Sequence, residues 1–67
     1  MTKIELNGAA HVLEQTTSLA ALLAAHGYAG RPVAVEINRE IVPRSLHAQT
    51  LIHDGDRIEI VHALGGG

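Results

Sequence analysis

Apolar and polar positions alternate near both ends of this chain, with a helical period between them. At positions 3–7, Ile4 and Leu6 fall on one face among polar neighbours, the pattern of a half-buried strand. Asn7-Gly8 then predicts a tight hairpin, because both residues accept the positive φ such a turn demands. Positions 9–14 form the return strand; either Val12 or Leu13 faces inward, and we take Leu13. Leu19, Leu22 and Leu23 recur at helical spacing as a buried stripe. Ala20, Ala21, Ala24 and Ala25 raise helix propensity and permit close packing. Thr17 or Thr16 caps the helix N-terminus. His26 lies in the last turn, where a partly positive imidazole suits the helix dipole, and Gly27 stops the helix.

Alternation returns at positions 33–38, with Val33, Val35 and Ile37 inward. Asn38-Arg39 marks a turn. Positions 40–42 make a short strand ended by Pro43, which has no N–H for a ladder. Positions 44–49 are irregular or a short helical turn, and Leu51 is expected to plug the open end of the core. Asp54-Gly55-Asp56 signals a further turn, with both aspartates as turn formers. Positions 57–62 are the last strand, with Ile58 and Ile60 inward. The order strand, strand, helix, strand, strand, strand predicts an α+β fold, a mixed sheet of about five strands with one main helix on one face. A last strand lying beside the first, parallel to it in mid-sheet, makes this a β-grasp; the periodicity fits a generic α+β layer equally well.

Sixty-seven residues make one small domain, with a stability on the order of a few kcal/mol. We place the domain at residues 1–64 and a flexible glycine-rich tail at 65–67. There is no cysteine, hence no disulfide and no thiolate metal site. With no Phe or Trp and one Tyr, the core is aliphatic. The formal charge of −2 is interspersed and lacks the basic patch of a nucleic-acid binder. No apolar run approaches a membrane span, and the first residues lack a signal-peptide pattern. The expected location is the cytoplasm, with neither nucleic acid nor membrane as partner.

Chemistry-bearing side chains are scattered. His11, His26, His47, His53 and His62 show no zinc-ligand spacing, so no metal site is expected. Ser45, His47 and Asp54 are read as solvated loop residues rather than a triad. Gly27 and Gly30 lack the Lys-Ser/Thr of a phosphate loop. No constellation of catalytic groups emerges, which argues against an enzyme.

Six segments occur in a familiar order: Asn7-Gly8; Thr17-Ser18-Leu19-Ala20-Ala21-Leu22-Leu23; Val33-Ala34-Val35-Glu36-Ile37-Asn38; Ile41-Val42-Pro43-Arg44-Ser45; Asp54-Gly55-Asp56-Arg57-Ile58-Glu59-Ile60-Val61; and His62-Ala63-Leu64-Gly65-Gly66-Gly67. Over nearly its whole length the chain resembles the small sulfur-carrier proteins of thiamine biosynthesis, which are ubiquitin-like β-grasp proteins. The small subunit of molybdopterin synthase is a neighbouring alternative. Those proteins also end in Gly-Gly but are usually longer, with aromatics in the first strand and prolines in the last; this chain has neither. A ubiquitin-like protein modifier, joined through Gly67 to a target lysine, is a further alternative that uses the same activation.

The resemblance implies a chemistry for the last residues. A ubiquitin-activating-like adenylyltransferase adenylates the Gly67 carboxylate with Mg-ATP. Sulfur from a cysteine desulfurase or related donor then replaces the adenylate, and thiazole synthase uses the resulting thiocarboxylate to build the thiazole ring of thiamine. The carrier holds no cofactor of its own and is a co-substrate, not an enzyme. Gly67 leaves its carbonyl open on both faces, and Gly65 and Gly66 thread a passage where a Cβ would clash. Extended residues span up to ~3.3–3.6 Å each, so Leu64 and three glycines reach roughly 13 Å into a partner. The partner-binding surface is expected on the sheet face away from the helix. Val61 and Ala63 fall there by alternation, joined by Ala34 and Val12, and ringed by Arg57, Glu36 and Glu59. Leu64 is expected to seat the root of the tail.

Overall fold

Two left-handed turns set the pairing of the sheet. In the computed structural model, which describes residues 1–62, Asn7 and Gly8 have φ of 49° and 84°, and Asn38 and Arg39 have φ of 53° and 70°. Two consecutive residues at positive φ twist a hairpin in the same sense as its strands. The first turn joins β1 (Thr2–Leu6) to β2 (Ala9–Leu13), and the second joins β3 (Val33–Ile37) to β4 (Glu40–Ile41). β5 (Arg57–His62) lies between the two hairpins, giving the order β2-β1-β5-β3-β4. It runs parallel to β1 and antiparallel to β3. First and last strands side by side and parallel in mid-sheet make this a β-grasp and remove the generic layer from contention.

The helix α1 (Leu19–Ala25) covers one face through its leucine stripe. Leu19, Leu22 and Leu23 form a single core with Ile4, Leu6, Val35, Ile58 and Ile60. Burying each such side chain contributes about 1.5–3 kcal/mol. Leu13 packs against this core while Val12 is exposed, as the favoured facing of β2 requires.

The helix ends are satisfied locally. Ser18, not Thr16 or Thr17, is the N-cap: its Oγ accepts from the Ala21 N–H at 3.1 Å. The reason is a non-local bridge. Leu19 N–H donates to the Thr50 carbonyl at 2.7 Å and Ile52 N–H to the Thr17 carbonyl at 3.0 Å, which holds the backbone extended through Ser18 and delays the helix. At the other end Gly27 takes φ of 81°. Its N–H donates to Ala24 at 3.2 Å and the Tyr28 N–H to Leu23 at 2.8 Å, the paired bonds of a Schellman motif.

The same bridge corrects the assignment of the core plug. Ile52 is 2 % exposed and closes the open end, whereas Leu51 is 51 % exposed. Neighbouring residues in extended backbone point to opposite sides, and the bridge from Ser18 to Leu51 fixes which one faces in. The stretch after Pro43 contains a single 3₁₀ turn at Arg44–Leu46. His47 at its end is buried, not a solvated loop residue. Its Nε2–H donates to the Val42 carbonyl at 3.0 Å, and its own carbonyl accepts from the Ala20 N–H at 3.0 Å.

Ile52→Val is therefore expected to cost about 0.5–1.5 kcal/mol, and Leu51→Ala less than about 0.5 kcal/mol, as for exposed positions generally. Denaturant midpoints of the two variants read the difference; a larger loss for Leu51→Ala would reverse the assignment.

Candidate functional site

Asn7 holds the last strand in place. Its backbone N–H donates to the Ile58 carbonyl at 2.9 Å, and its side-chain Oδ1 accepts from the Ile60 N–H at 2.7 Å. The side chain thus supplies one rung of the β1–β5 ladder beyond the end of β1. Past that rung, β5 is paired by β3 alone, with Ala34 across from Val61 and Val33 across from His62.

Alternation along β5 sends successive residues to opposite faces. Ile58 and Ile60 enter the core, and Arg57, Glu59 and Val61 face away from the helix. On that open face Val61 is 58 % exposed and stands directly across from exposed Ala34. Glu59 stands across from Glu36, two like charges in one cross-strand pair. Arg57 is instead engaged by Glu5, with Nε 3.1 Å from a carboxylate oxygen. A shallow depression of about 440 Å³ runs along Glu5, Asn7, Arg57, Glu59 and Val61. Val61, Ala34 and Arg57 therefore share one face. Val12 does not join them. It pairs with Lys3, which aligns with the residues before β5, roughly 20 Å from Val61 along the strand direction. Ala63, Leu64, Gly65, Gly66 and Gly67, the other positions assigned to the site, lie outside the described residues.

His62 has the parity of Ile58 and Ile60 and lies on the helix side. Its ring centroid is 5.9 Å from that of Tyr28, with the planes tilted by 56°. The Schellman turn after α1 carries Tyr28 to this place, so the helix stop and the end of β5 are in contact. The sequence held half of this signal, since the alternation that buries Ile58 and Ile60 also sends His62 to the helix side, where it stays exposed. Its partner comes from another segment and carries no local mark.

The remaining histidines serve the scaffold or the surface. His11 and His26 meet edge to face at 5.5 Å, and His53 Nδ1 lies 3.9 Å from Asp56. Among the described residues, no three His, Cys, Asp or Glu side chains gather as a metal site. No described helix is long and apolar enough to cross a membrane. What the site offers among the described residues is an exposed strand end with one apolar pair, a carboxylate pair and a guanidinium beside it.

Comparison with known proteins adds the following. The family model described as the ThiS family matches residues 2–67. A thiazole synthase of Magnetococcus marinus is 43% identical over 65 residues, which cover 97% of this chain and 20% of that protein. The chain thus spans about one fifth of the length of that relative, and the same holds for a thiazole synthase of Paramagnetospirillum magneticum at 45% identity. The sulfur carrier protein ThiS of Bacillus subtilis is 37% identical over 54 residues, covering 81% of this chain and 82% of that one. The crystal structure of a thiamine biosynthesis protein (ThiS) of Geobacter metallireducens superimposes with a TM-score of 0.85 at 29% identity, covering 98% of this chain and 100% of that one.

Asn7→Gly keeps the left-handed turn accessible and removes the acceptor of the Ile60 N–H. The expected loss is about 1–3 kcal/mol, the penalty of an unpaired buried donor, with faster amide exchange at Ile60. Unchanged exchange there would show that the side-chain rung carries no weight.

Proposed function

Because the chain belongs to the ThiS family, we propose that it is a sulfur carrier of thiamine biosynthesis whose Gly67 carboxylate becomes a thiocarboxylate. The observation that carries this reading is the family match over residues 2–67, which takes in Gly65, Gly66 and Gly67.

The chemistry explains why such a protein needs partners. A carboxylate is a poor electrophile, because its charge repels nucleophiles and its oxygen leaves badly. Attack of the Gly67 carboxylate on the α-phosphorus of Mg-ATP, in a ubiquitin-activating-like adenylyltransferase, expels pyrophosphate and gives an acyl adenylate. The terminal sulfur of a persulfide from a cysteine desulfurase system then displaces AMP to give an acyl disulfide, and a thiol reductant cleaves its S–S bond to leave the thiocarboxylate. Thiazole synthase is the proposed recipient, and a thiazole synthase that contains a stretch 43% identical to nearly all of this chain supports that assignment. The carrier is a co-substrate, and acid, base and metal chemistry belong to the enzymes that receive it.

The fold supports this division of labour. Five residues follow His62 in the sequence, and extended residues reach about 3.3–3.6 Å each, enough to place Gly67 well inside a partner while the globule stays outside. Val61, Ala34 and Arg57 form the docking face; Ala63 and Leu64 are proposed as further partner contacts, and Gly65, Gly66 and Gly67 as the threaded end. An apolar centre with a charged rim suits an interface that forms and releases.

Incubation with adenylyltransferase, Mg-ATP and sulfur donor is expected to shift the intact mass by replacement of one oxygen by sulfur. Deleting Gly67, or adding a residue after it, is expected to abolish the shift; sulfur incorporated by the extended chain would sink the reading. Val61→Asp is expected to weaken binding to the adenylyltransferase by about tenfold or more, or about 1.4 kcal/mol, with an unchanged circular dichroism spectrum. Undiminished affinity would dispose of the docking face.

A further inference from the structure

The open face of the sheet is not the only surface beside the end of β5. On the helix side, a cleft of about 270 Å³ opens between the end of α1 and the 3₁₀ turn. Its floor is apolar, made by buried Leu23 and half-buried Val33 and Tyr28. Its rim is basic. Arg31 follows the turn that ends the helix, Arg44 opens the 3₁₀ turn, and both are exposed. Among the described residues no carboxylate lines the cleft, and neither guanidinium forms an ion pair. His47 closes one wall and is held there by its bonds to Val42 and Ala20. The cleft reaches the end of β5 through Tyr28, which lines it and contacts His62.

We propose that this cleft receives an acidic, apolar-flanked segment of an enzyme that processes the chain's last residues. A carboxylate of that segment sits between Arg31 and Arg44, and a neighbouring aliphatic side chain rests on Leu23, Val33 and Tyr28. This rests on the carrier reading for the identity of the enzyme. Three features select the occupant. Guanidinium groups bind carboxylates through paired, charge-assisted hydrogen bonds. The apolar floor offers nothing to a free inorganic anion. Phosphate is bound at helix N-termini, where backbone N–H groups converge, whereas this cleft lies at a helix C-terminus, whose dipole opposes a dianion more than a single carboxylate.

The consequence for docking is geometric. Val61 faces one side of β5 and His62 the other. An enzyme that grips the open face and also fills the cleft holds the strand end from both sides and fixes the direction in which the chain leaves His62. Charge sorts the two contacts: a glutamate pair marks the open face and an arginine pair the cleft, neither with an ion-pair partner among the described residues.

Calorimetric titration of an Arg31→Ala/Arg44→Ala variant against the adenylyltransferase and the thiazole synthase of the same genome tests the proposal. Affinity for at least one enzyme is expected to fall about tenfold or more, with a shallower dependence on salt. Arg39→Ala, an exposed arginine outside the cleft, is expected to leave both affinities unchanged. Undiminished affinity of the double variant for both enzymes overturns the proposal, as does an equal loss in the Arg39→Ala control. Inorganic phosphate is expected to weaken binding no more than chloride at equal ionic strength; specific displacement by phosphate would make the cleft a small-anion site and also overturn it. Intact mass separates this from the parent reading. Cleft-dependent binding without any thiocarboxylate sinks the carrier and leaves the cleft standing, while normal thiocarboxylate with cleft-independent binding does the reverse.

Discussion

The parallel seam between the first and last strands is the constraint on which the rest of this structure depends. It joins segments some fifty residues apart in sequence, with Glu5 N–H on the Asp56 carbonyl and Asn7 on both Ile58 and Ile60. Closing so long a loop costs entropy that only later contacts repay. The return is large here, because the seam sets Ile58, which is fully buried, between Leu6 on β1 and Ile37 on β3. The loop entering β5 is tied to both neighbours. Asp54 accepts from the Lys3 N–H at 2.7 Å, and the Gly55 N–H donates to the Lys3 carbonyl at 2.7 Å. Asp56 is buried and accepts from the Asn38 side chain at 2.9 Å and the His53 N–H at 2.8 Å. Asn38 in turn accepts from the Arg57 N–H at 2.9 Å. The second left-handed turn is therefore a brace for β5 as well as a hairpin.

Features that depend on neighbours in sequence are legible in the chain itself. The Asn7-Gly8 turn, the leucine stripe, the Gly27 stop and the inward facing of Ile58 and Ile60 all follow from periodicity and backbone preference. The departures share one physical source. The bridge from Ser18 to Leu51 moves the cap from Thr16 or Thr17 to Ser18, and it also makes Ile52 the plug in place of Leu51. A contact between segments more than thirty residues apart leaves no trace in local propensity. His47 belongs to the same class, since its burial comes from the packing of the 3₁₀ turn under α1.

The site divides along the same line. Alternation within β5 was enough to turn Val61 outward, and the register of β3 then set Ala34 beside it. Val12 faces the same way and still lies far off, because facing is a local property and position along the sheet is not. Asn7 was legible as a turn residue but not as a clip, since its second partner is the Ile60 N–H at the far end of the chain. Arg31 and Tyr28 carry no mark in one dimension, and Arg44 stands there only as part of a family segment. They matter only after the helix stop, the 3₁₀ turn and the last strand converge.

On the proposed role, the problem that the fold has to solve is one of orientation rather than of catalysis. Glycine has no side chain through which a partner could set a direction. On that role, direction is set within the stretch from Ile58 to His62. There Asn7 and β3 fix the strand, Val61 and His62 address opposite sides, and the charges on those sides are opposite in sign. The glutamates opposed across β3 and β5 are a poor choice for stability, because like charges directly across a ladder repel. Their presence on the open face, without a cation engaged by either among the described residues, is intelligible if that surface is completed by a partner. On this view a partner reads both sides of β5 to guide residues 63–67.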